Sequence, residues 1–129
     1  MTQKEIEYYL YCGIKLGWYD KTFADYTNDE KALKMVRNYI RKSDEFVNDG
    51  LGMYLWGSNG TGKSHLLNCA FKRFIEKGYT VRLFSMDELV DKYTSSWYSD
   101  EQKQDLTKIL RDVQFLGIDE FGKNVDSSG

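Results

Sequence analysis

An octapeptide near the middle of the chain constrains its fold more than any other feature. Residues 57–64 fit the pattern G-x-x-x-x-G-K-[ST] of the phosphate-binding loop, or P-loop; they are Gly57, Ser58, Asn59, Gly60, Thr61, Gly62, Lys63 and Ser64. Such a loop joins a buried strand to a helix. An apolar run at 52–56 precedes the octapeptide and an apolar helical pattern follows it. The octapeptide therefore predicts a strand–loop–helix unit inside an α/β fold.

The residue types of the octapeptide indicate how it would hold a nucleotide. Glycines let the backbone adopt positive φ and bring N–H groups close to phosphate oxygens, and the following helix directs its N-terminal N–H groups at the same anion. We expect Lys63 to reach the β- and γ-phosphates and the Ser64 hydroxyl to ligate Mg²⁺. His65, the single histidine, is counted with the nucleotide-binding residues and is expected to support the first helical turn rather than to act in catalysis.

A second motif supplies two carboxylates. The apolar run from Phe115 to Ile118 ends in Asp119 and Glu120. In P-loop proteins the aspartate at a strand end holds Mg²⁺, which suits Asp119. A carboxylate beside it can orient the attacking water, so Glu120 is a candidate catalytic residue. Lys63, through its charge on the phosphates, is the other candidate catalytic residue. Helix caps and surface turns produce the same letters, but the preceding P-loop favours the functional interpretation. The Asp-Glu pair, with no Asn-Lys-x-Asp motif in the chain, favours an ATPase over a GTPase.

Hydrophobic periodicity predicts helices that alternate with strands. Strands are predicted at 52–56, 80–84 and 113–118, and helices at 4–12, from Asn28 or Asp29 to Asn48, from the P-loop to Gly78, at 86–93 and from Asp100 onward. The second helix places Leu33, Val36, Ile40 and Val47 on one face, and the third carries an apolar stripe through Leu66, Ala70 and Phe74. This alternation predicts a three-layer α/β fold with a parallel sheet.

Composition excludes several classes of protein. The net charge of −2 gives no global signature of nucleic-acid binding, and no apolar run approaches the roughly 20 residues of a membrane span. Cys12 and Cys69 lie far apart, in no metal-ligand spacing, and the N-terminus has no targeting pattern. Reduced thiols in a cytoplasmic protein are therefore predicted, rather than a disulfide.

The chain resembles the DnaC/DnaI-type helicase loaders and the related IstB-like ATPases of the AAA+ class. The segments that carry the resemblance are Cys12-Gly13-Ile14, Thr22-Phe23, residues 50–57, residues 60–67 and residues 118–122. The resemblance implies an AAA+ P-loop NTPase with ATP and Mg²⁺ as cofactors. It also implies a hexameric replicative helicase and single-stranded DNA as partners, self-association of the intact protein, and helicase loading in DNA replication.

The family pattern extends beyond this sequence. The chain ends at Gly129, nine residues past Glu120, whereas the resemblance implies a sensor-1 strand and an arginine finger further on. We interpret residues 1–27 as an N-terminal arm and residues 28–129 as a partial AAA+ domain, truncated after the Asp-Glu strand and active as an ATPase only in the intact protein. Two other functions stay open: an IstB-like transposition helper, and a nucleotide-regulated binding module without turnover.

Aromatic side chains concentrate in two segments. Those from Tyr8 to Phe23 are interpreted as an arm packed on the core; the resemblance offers the alternative that Thr22 and Phe23 line an adenine pocket. Trp97 and Tyr98 lie in a predicted polar loop. There they are interpreted as a hydrophobic anchor, with stacking on unpaired bases as the alternative.

Overall fold

The computed structural model describes residues 2–26, 29–49 and 62–119, which form six α-helices and two strands. In chain order the elements are α1 (Gln3–Cys12), α2 (Glu30–Arg41), α3 (Ser43–Asp49), α4 (Lys63–Glu76), β1 (Val81–Ser85), α5 (Met86–Ser95), α6 (Asp100–Asp112) and β2 (Phe115–Asp119). Single-turn 3-10 helices at Leu16–Trp18 and Phe23–Asp25 lie between α1 and α2. Within the described ranges, no helix combines the length and apolarity needed to traverse a bilayer.

The two described strands lie side by side and run parallel, with Val81 opposite Phe115 and Ser85 opposite Asp119. Parallel neighbours require a crossover connection, which α5 and α6 provide. The strands predicted at 80–84 and 113–118 are confirmed, but each begins later than predicted. For β2 the reason is that the Val113 N–H still bonds to the Ile109 carbonyl of α6. The predicted strand at 52–56 lies outside the described residues.

Helices pack on both faces of this sheet, although Leu116 and Ile118 on the second face of β2 are 40 % and 43 % exposed. On one face α4 packs so closely that its Phe74 ring stacks on Phe115, with centroids 4.0 Å apart. A Cβ atom at Gly117 would come within 2.6 Å of the Phe71 ring, so the ring would have to move for any larger residue at this position. On the other face the ammonium of Lys92, from α5, lies 5.8 Å from the ring centroid of Phe84. The predicted α/β class with a parallel sheet is confirmed.

The apolar stripe predicted for the helix after the P-loop is also confirmed. The α4 residues buried in the core are Leu66, Ala70, Phe71 and Phe74. The helix ends where predicted, because Gly78 has φ +91° and its N–H bonds to the Ile75 carbonyl. The stripe therefore sets which side of α4 faces the sheet and which side is left for polar residues.

The single helix predicted from Asn28 or Asp29 to Asn48 is wrong, because the chain breaks into α2 and α3 at Lys42. The cause lies in another part of the chain. The ammonium of Lys77 donates to the Ile40 carbonyl at 2.8 Å and to the hydroxyl of fully buried Ser43 at 2.6 Å. Lys77 therefore supplies the Ile40 carbonyl, at the end of α2, with a hydrogen-bond donor in place of the backbone N–H that a continuing helix would provide. Val36 and Ile40 of the predicted face are buried in the core.

The N-terminal segment packs into the same core, as predicted for its aromatic residues Tyr9, Trp18, Tyr19 and Phe23, whereas Tyr8 and Tyr11 are exposed. Ile14 is fully buried and Cys12 is 1 % exposed. Between them Gly13 ends α1 with φ +106°, and a Cβ atom there would lie 1.9 Å from the Leu83 carbonyl oxygen. The chain after α1 is thus pressed against the backbone of β1. The division into an arm at 1–27 and a domain at 28–129 stays a prediction.

Candidate functional site

The described part of the predicted P-loop is its junction with α4. Gly62 has φ +83°, the left-handed conformation expected of a loop glycine, and α4 begins at Lys63. Lys63, Ser64 and His65 therefore occupy the first turn of a helix, where backbone N–H groups lack partners within the helix and can bind an anion. The rest of the octapeptide, Gly57 to Thr61, lies outside the described residues, as does the predicted catalytic residue Glu120.

Asp119 stands at the carboxyl end of β2, opposite Ser85 at the end of β1. Its side chain is buried, with the residue 8 % exposed. In open parallel sheets, ligands bind beyond the carboxyl ends of the strands. The predicted metal ligand therefore occupies the edge of the sheet where such a site is expected.

A cavity of about 330 Å³ opens at this edge. Its lining residues are Gly13, Lys15, Asn68, Leu83, Phe84, Ser85, Asp87, Glu88 and Asp119. Asn68 of α4 is buried and donates to the Ser64 carbonyl at 2.8 Å. Asn68 thus contacts the first turn of α4 and shares the cavity with Asp119, whereas Lys63, Ser64 and His65 do not line the cavity themselves.

The motif analysis did not identify Asn68 as a site residue. A signal was present, since Asn68 follows Ser64 by four residues and interrupts the apolar stripe of α4 with a buried amide. Residues four apart on a helix share a face. A buried polar group at that position needs a partner, and the carbonyl of the preceding turn provides one.

Charged side chains flank the cavity. Lys15, which follows α1, pairs with Glu88 of α5 at 3.4 Å, and both side chains are largely exposed. Glu88 also accepts a hydrogen bond from the Ser85 N–H at 2.8 Å. Desolvation opposes ionisation of Glu88, but this hydrogen bond and the charge of Lys15 prevail and lower its pKa. Glu88 thus stays ionised at neutral pH and holds the start of α5 against the segment after α1.

The donor set suits a hard cation. Hydroxyl and carboxylate oxygens, the groups that Ser64 and Asp119 provide, are the ligands that Mg²⁺ prefers. No cluster of three or more His, Cys, Asp or Glu residues suited to a metal occurs among the described residues. A magnesium site built from Ser64 and Asp119 would therefore depend on phosphate oxygens and water for its other ligands.

His65 connects the first turn of α4 to the N-terminal segment. Its Nε2 atom lies 2.8 Å from the Thr22 carbonyl oxygen, and its ring contacts Trp18 and Tyr26, with centroids 5.7 and 5.5 Å away. A role in supporting the first turn agrees with this geometry. Thr22 thus lies beside the predicted P-loop helix, while its role in an adenine pocket stays a prediction.

The aromatic residues of the α5–α6 connection face solvent. Tyr98 is 87 % exposed and Trp97 64 % exposed, and the Trp97 ring contacts only the edge of Tyr93 among the ring pairs described, at 5.6 Å. Their interpretation as a hydrophobic anchor is wrong.

Comparison with known proteins yields consistent relatives. The chain is 28 % identical over 118 residues to "Replicative helicase loader DnaC" of Buchnera aphidicola subsp. Acyrthosiphon pisum (strain APS), covering 89 % of this chain and 48 % of that protein. The corresponding protein of Buchnera aphidicola subsp. Schizaphis graminum (strain Sg) is 27 % identical over the same shares. "Chromosomal replication initiator protein DnaA" of Corynebacterium aurimucosum (strain ATCC 700975 / DSM 44827 / CIP 107346 / CN-1) is 27 % identical over 71 residues, 54 % of this chain and 13 % of that protein.

The chain spans about half the length of the DnaC relatives it matches, and no solved structure gives a significant match. The family described as "IstB-like ATP binding protein" matches residues 14–127, a range that includes the P-loop motif, α4, β2 and Asp119. Membership of a family with that description implies nucleotide binding. The chain belongs to the IstB-like ATP binding protein family.

Proposed function

We propose that this protein binds and hydrolyses ATP and that it serves as a loader of a replicative helicase in DNA replication. The observation that supports the nucleotide site is a cavity at the carboxyl end of β2. It is lined by Asp119 and by Asn68, which donates to the Ser64 carbonyl in the first turn of α4. The similarity to replicative helicase loaders supports the biological role.

The chemistry assigned to the site follows from its residue types. Residues 57–62 and the N–H groups of the first turn of α4 bind the phosphates, and Lys63 contributes a positive charge to the β- and γ-phosphates. Ser64 and Asp119 hold Mg²⁺, which neutralises phosphate charge when bound. Glu120 orients the attacking water and accepts its proton.

Hydrolysis needs a further positive charge at the γ-phosphate. The residues that line the cavity within the described ranges include Lys15, which is paired with Glu88, and no arginine. An arginine supplied by a neighbouring subunit accelerates phosphoryl transfer by roughly 10³–10⁵ in several nucleotide hydrolases. We therefore propose that the active form is an oligomer and that residues 1–129 alone bind nucleotide weakly and hydrolyse it very slowly.

Single-stranded DNA is the second proposed partner besides the helicase. Aromatic rings on an exposed surface stack on unpaired bases, each contributing roughly 1–3 kcal/mol, and the exposure of Trp97 and Tyr98 supports this role. Tyr98→Ala should weaken binding of a fluorescent oligothymidine, whereas Tyr8→Ala, an exposed tyrosine on α1, should not. Equal affinities for the two variants would remove Tyr98 from the DNA-binding surface.

The nucleotide site is tested by thermal unfolding with Mg·ATP. A ligand at about 100 times its Kd stabilises the folded state by about 2.7 kcal/mol. Lys63→Ala should abolish most of that gain because it deletes the charge on the phosphates, and Lys103→Ala, on exposed α6, should retain it. A wild-type unfolding curve that ignores Mg·ATP would refute the proposal.

Two other functions are distinguished by their partners and turnover. The family match also supports an IstB-like transposition helper, which would be retained by a transposase and not by a replicative helicase in a pull-down with purified proteins. A nucleotide-regulated binding module would bind Mg·ATP with no phosphate release, even when the protein is concentrated and mixed with its partner.

A further inference from the structure

One face of α4 holds the irregular segment Leu16–Tyr26 by its backbone carbonyl groups. The contacts run from His65 Nε2 to the Thr22 oxygen at 2.8 Å, from Cys69 Sγ to the Lys21 oxygen at 3.5 Å, and from Lys72 Nζ to the Trp18 oxygen at 2.6 Å. We call His65, Cys69 and Lys72 the carbonyl clamp.

The spacing of the carbonyl clamp follows helix geometry. Residues at i, i+4 and i+7 lie on one face of a helix, so the three donors form a row along α4. Each of them can donate. A carbonyl only accepts, so the Nε2 atom of His65 carries a proton. Burial raises the pKa of the Cys69 thiol, which keeps it protonated.

Lys72 makes the most contacts of the three clamp residues. Its ammonium also donates to the carbonyls of Tyr19, at 3.4 Å, and Lys21. Trp18 and Tyr19 close a single-turn 3-10 helix, and carbonyl groups at a helix end lack donors within the helix. A positive charge at that end is favourable. Lys72 thus adds donors from α4 to carbonyl groups of the segment, including the Trp18 carbonyl, which also accepts a longer bond from the Lys21 N–H.

The carbonyl clamp begins in the turn proposed to bind phosphate. His65 is two residues from Lys63, and its ring lies against Trp18 and Tyr26. The orientation of this turn and the docking of Leu16–Tyr26 are therefore fixed by the same contacts. We infer that docking of this segment and nucleotide binding at the start of α4 are thermodynamically coupled, so that each strengthens the other. This inference rests on the proposed nucleotide site.

The test uses Lys72→Met, which keeps most of the side-chain volume and removes the ammonium. Arg73→Met is the matched control, because Arg73 is the next residue on α4 and pairs with Glu76 at 2.6 Å on the exposed side. Calorimetric titration with Mg·ADP should give an affinity at least about fivefold weaker for Lys72→Met, and an unchanged affinity for Arg73→Met. Equal affinities for Lys72→Met and the wild type would overturn the coupling.

Hydrogen exchange of the wild type provides a second readout that needs no variant. Mg·ADP should slow amide exchange throughout residues 16–26 if the segment docks more tightly when nucleotide is bound. Unchanged exchange in a protein that calorimetry shows to be saturated with Mg·ADP would overturn the inference and leave the nucleotide site intact. Absence of calorimetric binding would instead overturn the nucleotide site, and with it the coupling.

Discussion

Replacing Gly13 by alanine should destabilise the fold more than any other glycine substitution in the described part of the chain. Two costs combine. Residue 13 has φ +106°, and the left-handed region costs an L-residue about 1–2 kcal/mol. The new Cβ atom would also lie 1.9 Å from the Leu83 carbonyl oxygen, which forces the chain away from β1; overpacking of this kind costs about 1–3 kcal/mol. The sum is about 2–5 kcal/mol.

Substitutions at two other glycines distinguish the cost of a positive φ from the cost of the close contact. Gly78 has φ +91° and open space around it, so Gly78→Ala should lower stability by about 1–2 kcal/mol. Gly17 has open space and no positive φ, so Gly17→Ala should raise stability by about 0.4–1 kcal/mol through the unfolded state. The assay is urea unfolding followed by circular dichroism. If Gly13→Ala were no less stable than Gly78→Ala, the close approach of residue 13 to β1 would be wrong.

Three further predictions concern the site and the core. Glu120→Gln in the intact protein should bind ATP normally and hydrolyse it roughly 10²–10⁴ times more slowly in a phosphate-release assay; a wild-type rate would remove Glu120 from catalysis. Burial raises the pKa of the Cys12 and Cys69 thiols in the folded state. These thiols therefore lose their protons at a lower pH in the unfolded chain than in the folded protein. Stability should therefore fall as the pH rises above about 8.5, and a Cys12→Ala, Cys69→Ala double variant should show a smaller fall in urea unfolding. ATPase activity should rise with protein concentration, whereas robust, concentration-independent turnover would contradict an oligomeric active form.

Local patterns predicted the elements that depend on local contacts. The start of α4 at Lys63 follows from the glycine that precedes it, and the strand predicted to end at Ile118 extends to Asp119, the last residue that the structure describes. The buried stripe on α4 follows from helical periodicity. These features are encoded within a few residues of where they appear, so the sequence alone suffices to place them.

The features that sequence reasoning missed depend on residues distant in the chain. The break between α2 and α3 is stabilised by Lys77, 37 residues after the Ile40 carbonyl that it satisfies. His65 meets Thr22 across 43 residues. Neither pairing leaves a periodic signal, because each is a single polar contact made only when the tertiary fold brings the two elements together.

Gly117, whose side chain is a single hydrogen atom, affects the proposed nucleotide site from within the core. Because Phe71 rests directly over Gly117, this contact governs how near α4 lies to β2, and both proposed metal ligands are carried by those two elements, one on each. A methyl group at this position would force aside the Phe71 ring and the end of the Leu83 side chain, and would disturb the packing of α4, which carries Ser64, against β2, which carries Asp119. The dimensions of the site are thus determined inside the core, by a residue that need never touch a nucleotide.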